Sequence, residues 1–260
     1  MSAEVIRAEG VTKRFGALAA VDRVSYVLHE NEVAGIIGSN GAGKTTLFNI
    51  LTGYYPPDEG TVSYRGRDIT RMTPQQRVAL GMTRTFQLTS TFDNLSVVDN
   101  LVLAFFKAHR NASLVRLFLS TRRSQRDDPR ILAALDTFHL RAVADRLVKN
   151  LSLGEKRRLE IAMAVLVEPR VLLLDEPLAG LSDSEIKGIL EVLRARVGKQ
   201  TILVVEHKIS HVKDFLQRLT VMHEGRVIAD GDYEACLRHP EVRRSYWQID
   251  VEAEGGGHAS

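Results

Sequence analysis

The chain has a single cysteine, Cys236, in 260 residues. No disulfide can therefore form within it, and a reducing compartment fits that count. It has little net charge, +3 from 35 basic and 32 acidic residues, so its composition carries no footprint of a nucleic-acid binder. It has no apolar run near the roughly 20 residues that span a bilayer. A role at a membrane would require docking onto something embedded there. Residues Met1 to Glu9 lack a charged start followed by a long apolar core, so no signal peptide is expected. There is no internal repeat and no low-complexity tract apart from Gly255-Gly256-Gly257, in a tail expected to be disordered. What remains is ordinary globular composition, 44% hydrophobic and 26% charged. The length suits one large domain or one domain carrying a subdomain.

The most informative stretch is Gly38-Ser39-Asn40-Gly41-Ala42-Gly43-Lys44-Thr45-Thr46, which fits G-x-x-x-x-G-K-[ST]. Val33 to Ile37 before it reads as a buried strand, and Leu47 to Leu51 after it as a helix start. Glycines let the backbone curl so that successive N–H groups point at phosphate oxygens, and the helix N-terminus adds its positive dipole end. Lys44 would reach the β- and γ-phosphates, and the Thr45 hydroxyl would ligate Mg²⁺.

Upstream, Val5 to Glu9 and Val21 to Leu28 read as short strands, with Lys13-Arg14-Phe15-Gly16 on a turn between them. Phe15 suits either the core or a surface on which a base stacks. Thr61 to Tyr64 reads as a strand and Pro74 to Leu80 as a short helix with Pro74 in its first turn. Met82 to Gln87 is strand-like, and Gln87 by itself reads as a surface residue. Beyond Leu88 helices dominate, including Val97 to Ala108 and Ile131 to Phe138. The basic run Arg116 to Arg126 suits a solvated face or a contact with anionic lipid headgroups.

Ser152 and Glu155 have capping-box spacing ahead of a helix from about Lys156 to Val167. The same helix start could instead receive a phosphate. Val171 to Leu174 reads as a central parallel strand ending in Asp175-Glu176. Two carboxylates at that edge are costly unless they meet a cation, and ligands of open α/β sheets bind there. Asp175 is placed to hold Mg²⁺ through water, and Glu176 to deprotonate an attacking water. Asp183 to Arg196 has an amphipathic helical pattern. Thr201 to Val205 is a second buried strand, and His207 follows it at the same edge. Strands at Leu219 to His223 and Val227 to Asp230 bracket the turn Glu224-Gly225, and a helical tail is expected over Tyr233 to Trp247.

Taken in order, these elements resemble the ATP-binding subunit of ABC transporters over nearly the whole chain. By that resemblance Phe15 is the adenine-stacking aromatic, Gly38 to Thr46 the Walker A loop and Gln87 the Q-loop glutamine. Leu151 to Glu155 matches the signature, Val171 to Glu176 the Walker B strand, Gly180-Leu181-Ser182 the D-loop and His207 the switch histidine. Thr83 to Gln87, Leu159 to Ala162, Glu176 to Leu181 and the ending His239 to Val242 look most like the ATPases of bacterial branched-chain amino acid importers. Two departures stand out. Leu153 and Glu155 replace residues of the usual Leu-Ser-Gly-Gly-Gln signature, and Ser182 replaces the D-loop Asp.

The resemblance implies an α/β P-loop NTPase core with a mixed sheet and an inserted helical subdomain. The core would be 1–87 and 168–250, with an antiparallel β part at its start, and the helical subdomain 88–167; 251–260 is the tail. It implies ATP and Mg²⁺ as cofactors, with Mg²⁺ held by Thr45, Gln87 and Asp175. Lys44, Gln87, Glu176 and His207 would be catalytic. ATP would be bound by Phe15, by Gly38, Ser39, Asn40, Gly41, Ala42, Gly43, Lys44, Thr45 and Thr46, and by Ser152 and Gly154 of a second copy. Expected partners are a second ATPase (identical or paralogous), membrane permease subunits and, indirectly, a periplasmic solute-binding protein, with no nucleic acid. The expected location is the cytoplasmic face of the inner membrane. Relatives serving urea, amides or other solutes are the alternative. A non-transport ABC ATPase is the more distant one, since the chain has neither a long coiled-coil insertion nor two ATPase units.

Overall fold

The computed structural model describes residues 3–85, 91–108, 126–207, 212–213 and 215–245. Gln87, the basic run up to residue 125 and the tail 251–260 lie outside the described residues. The chain divides into two units, one of residues 1–80, 174–176 and 197–260, the other of 81–173 and 177–196.

In the first unit, β1 (Glu4–Phe15) and β2 (Leu18–His29) form a long antiparallel hairpin, joined by β4 (Glu59–Tyr64) and β5 (Arg67–Asp68) in the order β2-β1-β4-β5. The strands outrun the short ones expected from the sequence, and Phe15 ends β1, paired with Leu18, rather than lying on a wider turn. The hairpin ladder carries the extension, with Arg14 opposite Ala19, and contacts with distant residues reinforce it. Thr12 sits opposite Glu59, Lys13 Nζ meets Asp58 at 2.7 Å, and the Arg14 N–H donates to Asp58 at 2.7 Å. None of these partners is visible to a local reading.

The unit's second sheet runs β10 (Arg226–Gly231), β9 (Arg218–His223), β3 (Val33–Gly38), β8 (Thr201–Val205). β3 is parallel to β8 and β9, whereas β10 is antiparallel to β9. All six residues of β3 are buried, as a parallel strand covered on both faces requires. Residues 174–176, the end of β7 (Val171–Asp175) and its successor, lie beside β8, where the Glu176 N–H donates to the Val205 carbonyl at 2.9 Å. Because these strands run parallel, Gly38, Val205 and Asp175 all end at one edge.

Two helices flank this sheet's chemistry. α1 (Lys44–Thr52) follows β3 directly. α2 (Pro74–Ala79) starts on a Thr73–Gln76 capping box and carries Arg77, which is 1% exposed. All five N–H donors of the Arg77 guanidinium face carbonyls: Ile50 and Leu51 at the end of α1 (2.8 and 2.7 Å), Ile69 and Thr70 (2.7 and 3.4 Å), and Met72 (3.3 Å). Near the chain end, α7 (Tyr233–Arg238) starts on Asp232 and buries Cys236 against Ile37, Leu219, Val221 and Val242. The expected helix to Trp247 is interrupted at His239, whose backbone is extended (φ −61°, ψ 131°), and resumes over residues 240–245, while 246 and 247 lie outside the described residues. Pro240 follows His239, and a residue before proline is pushed out of the α region.

In the second unit, β6 (Met82–Arg84) runs parallel to the first residues of β7, with Met82 opposite Val171. α3 (Val97–Ala108), α4 (Pro129–Thr137) and α5 (Leu153–Leu166) pack on one another. Val97, Leu101, Phe105, Ile131, Leu135, Leu159 and Met163 supply buried apolar faces, and the Arg130 guanidinium lies 4.1 Å from the Phe105 ring centroid. α6 (Asp183–Arg194) starts on a Ser182–Glu185 capping box. Among the described residues no helix is long and apolar enough to cross a membrane.

Candidate functional site

The loop between β3 and α1 is held in shape by close backbone approaches. A Cβ on Gly38 would stand 2.4 Å from the Met222 carbonyl oxygen, and one on Gly43 would stand 2.3 Å from that of Ala20. Gly43 also has φ +95°, a region that favours glycine. It is the N-cap of α1, and no side chain caps that helix. The first N–H groups of α1 therefore point out of the loop with the helix dipole behind them, which is the physical requirement for binding an anion. Asn40, Gly41 and Thr45 are exposed at the loop's surface, with Ser39 and Thr46 partly covered.

Lys44 is 4% exposed. Its ammonium donates to the carbonyls of Gly38 (2.7 Å) and Ser39 (3.0 Å) and lies 3.3 Å from His207 Nδ1. Burial lowers its pKa, and the nearby carboxylates of Glu176, Asp175 and Glu206 oppose that shift. His207 Nε2 in turn lies 2.6 Å from Glu176 Oε1. An ammonium has only donors, so Nδ1 of a neutral His207 accepts from Lys44 and Nε2–H donates to Glu176. One imidazole thus bridges the loop lysine and the strand-end carboxylate. Glu176 itself sits at φ +46°, an uncommon backbone state for a non-glycine that concentrates at functional positions. Its hydrogen bond to Val205 fixes that turn.

The structure therefore brings Lys44, Glu176 and His207 into contact and places Asp175 within electrostatic reach of Lys44. It adds Glu206, 5% exposed, whose carboxylate accepts the backbone N–H of His207 at 3.3 Å. The sequence marks Glu206 only as the end of a strand, since an electrostatic neighbour 162 positions from Lys44 has no local signature.

Phe15 is 46% exposed, so it is not a core residue. Tyr55 meets its ring edge-on at 5.5 Å, leaving apolar ring surface open to solvent at a point three residues before the β2 backbone reaches Leu18. Ser152 and Gly154 belong to the second unit. There the Ser152 hydroxyl accepts from the Glu155 N–H (3.2 Å), and the Glu155 carboxylate accepts from the Ser152 N–H (2.7 Å). This box starts α5 at Leu153, three residues ahead of the expected start. Leu153 is 52% exposed, while Gly154 is buried so closely that a Cβ would stand 1.7 Å from Glu185 Oε1.

The chain was compared with known proteins. The family model described as "ABC transporter" matches residues 21–179. The chain is similar to the high-affinity branched-chain amino acid transport ATP-binding protein LivG of Salmonella typhimurium, at 37% identity over 95% of this chain and 98% of that one. It is similar to BraF of Pseudomonas aeruginosa, a protein of the same description, at 36% identity over 95% and 98%. Its fold is similar to the solved ADP conformation of MJ1267, an ATP-binding cassette of an ABC transporter, with TM-score 0.78 at 30% identity over 95% and 99% of the two chains.

Proposed function

Because this chain belongs to the ABC transporter family of ATP-binding cassettes, we propose that it is the ATP-hydrolysing subunit of an importer for branched-chain or other hydrophobic amino acids. The observation that carries the hydrolytic part is the contact of Lys44, His207 and Glu176 at the mouth of a glycine-shaped, uncapped helix start. The near full-length similarity to LivG and BraF supports the solute class.

In this reading the phosphates of ATP lie on the N–H groups of residues 39–46. Lys44 exchanges its carbonyl partners for β- and γ-phosphate oxygens, a favourable trade because a buried ammonium gains more from anions than from neutral carbonyls. Glu176 takes the proton of the attacking water, and His207, through its Nε2–H, holds that carboxylate in position. Thr45, an exposed residue of the loop, and Asp175, a strand-end carboxylate, form an oxygen donor set suited to Mg²⁺, with Gln87 as a third candidate. Bound there, Mg²⁺ would neutralise charge on the phosphates. Phe15 offers its open face to the adenine.

Two copies, or this chain and a paralogue, would face each other so that Ser152 and Gly154 of one cover the γ-phosphate bound by the other. Closure on ATP and reopening after hydrolysis would drive permease subunits as a population shift. The residues 88–167 would carry the permease contact, with the protein on the cytoplasmic face of the membrane.

Lys44→Ala tests the nucleotide site. Hydrogen bonds to charged groups contribute about 1.5–3 kcal/mol each, so ATP affinity is expected to fall by roughly 10–100-fold. Isothermal titration measures it, and an unchanged affinity would remove Lys44 from the phosphates. Phosphate release by the purified chain with co-purified permease, stimulated by a binding protein loaded with leucine rather than urea, tests the transport reading.

A further inference from the structure

The phosphate loop is walled on one side by a hairpin turn that the mechanism above does not use. β9 and β10 are joined by Glu224 and Gly225, with φ +45° and +76°, the two positive values that a tight two-residue turn between antiparallel strands requires. His223 and Arg226 are the paired residues at its base, so the N–H and C=O of Gly225 are left to bond elsewhere. The N–H donates to the Ala42 carbonyl in the phosphate loop at 3.1 Å. The C=O accepts from the Asp22 N–H at 2.9 Å.

The Asp22 carboxylate is clamped by Arg226, through Nη2 at 2.7 Å and Nε at 3.0 Å. Arg226 stands next to Gly225, so the ion pair ties the turn to β2 on both its backbone and its side chain. The three segments meet with no room for a side chain. A Cβ on Gly225 would stand 3.0 and 3.1 Å from the carbonyl oxygens of Ala19 and Ala20, and one on Gly43 would stand 3.2 Å from Gly225 Cα.

A peptide unit is planar and trans, so its C=O and N–H point in opposite directions. Ala42 C=O and Gly43 N–H are the two ends of one such unit. Anchoring the carbonyl on Gly225 turns the Gly43 N–H away from the hairpin, toward the side on which a phosphate would sit. We propose that the β9–β10 turn is a positioning element for the phosphate site, in which Gly225, held by the Asp22–Arg226 pair, sets the direction of the Gly43 N–H donor. The inference rests on the reading of residues 38–46 as a nucleotide phosphate loop and extends it to residues far away in the chain.

The test uses the full chain and ADP with Mg²⁺ in excess. Arg226→Ala and Asp22→Asn each remove the clamp without touching the loop. Each is expected to weaken ADP binding and raise the KM for ATP by roughly 2–5-fold, with kcat and the melting midpoint close to wild type. The charge-reversed double variant Asp22→Arg/Arg226→Asp is expected to recover most of that loss. Gly225→Ala, strained by both its φ and its neighbours, is expected to weaken binding by about tenfold or more.

In ¹H–¹⁵N spectra the Gly43 amide is expected to shift strongly on ADP binding in wild type and less in Arg226→Ala. A purely structural turn would lower the melting midpoint and leave KM and the Gly43 shift unchanged, which would overturn the proposal. If wild type binds ADP, Lys44→Ala weakens it and the turn variants do not, only the positioning role falls. If wild type itself binds no ADP, the nucleotide reading falls first.

Discussion

Glu176→Gln is expected to retain ATP binding while hydrolysis slows by roughly 10²–10⁴-fold, the usual share of general-base catalysis. The substitution keeps the size of the side chain and an oxygen that can still accept from His207 Nε2–H, now 2.6 Å away. The backbone bond from residue 176 to Val205 is untouched. What disappears is a group able to take a proton from water. In the proposed site the phosphate contacts come from the loop, so the affinity for ATP should not fall; with hydrolysis blocked, the ATP-bound form should accumulate. Single-turnover phosphate release beside nucleotide titration separates the two quantities. Turnover near wild type would mean that the proton leaves by another route.

The largest effect on stability is expected at Arg77. Replacing it with Met keeps an apolar stem of similar reach and removes all five donors. The carbonyls of Ile50 and Ile69 keep the N–H groups of Gly53 and Met72, but those of Leu51, Thr70 and Met72 lose the guanidinium, and each such group costs about 1–3 kcal/mol when water cannot replace the donor. Partial relaxation brings the expected total to about 3–5 kcal/mol, or a fall in melting midpoint of about 6–20 °C for a chain of this size. Lysine should rescue little, because three donors on a point charge cannot serve five carbonyls spread around a planar fork. Burial lowers the Arg77 pKa to about 10, which still leaves it charged at neutral pH. Thermal unfolding of Arg77→Met and Arg77→Lys checks this, and a midpoint within 2–3 °C of wild type, well below the ~6 °C floor, would show that water enters the site.

What could be read from the sequence follows from how local each feature is. The phosphate loop, the buried strand ending in Asp175-Glu176 and the helix at Val97–Ala108 each carry their pattern within one short window, and the structure places all three as read. The strand reaching Phe15 reads as a turn because Lys13-Arg14-Phe15-Gly16 carries no alternating pattern, and its end is held by the ladder to Ala19 and Leu18 and by side-chain contacts with Asp58 and Glu59, more than forty residues away. Arg77 gives no sign at all, since a lone arginine in a short helix looks like a solvated residue until its carbonyls are gathered from the end of α1 and the segment before α2. Gly225 was legible as a turn glycine but not as a neighbour of Gly43, because that contact joins three distant segments. Local chemistry announces the ligand, while the groups that aim the site are assembled by the fold.

The burial of Cys236 has a practical consequence. Its thiol donates to the Leu219 carbonyl at 3.2 Å, and desolvation pushes its pKa up to about 11, so at neutral pH almost none of it is the reactive thiolate. As the sole cysteine of the chain, it leaves the native protein silent toward maleimides. A cysteine introduced at exposed Leu153 or Asn40 would then be the one labelled position. A fluorophore or spin label there could follow nucleotide binding without first stripping the sequence of competing thiols.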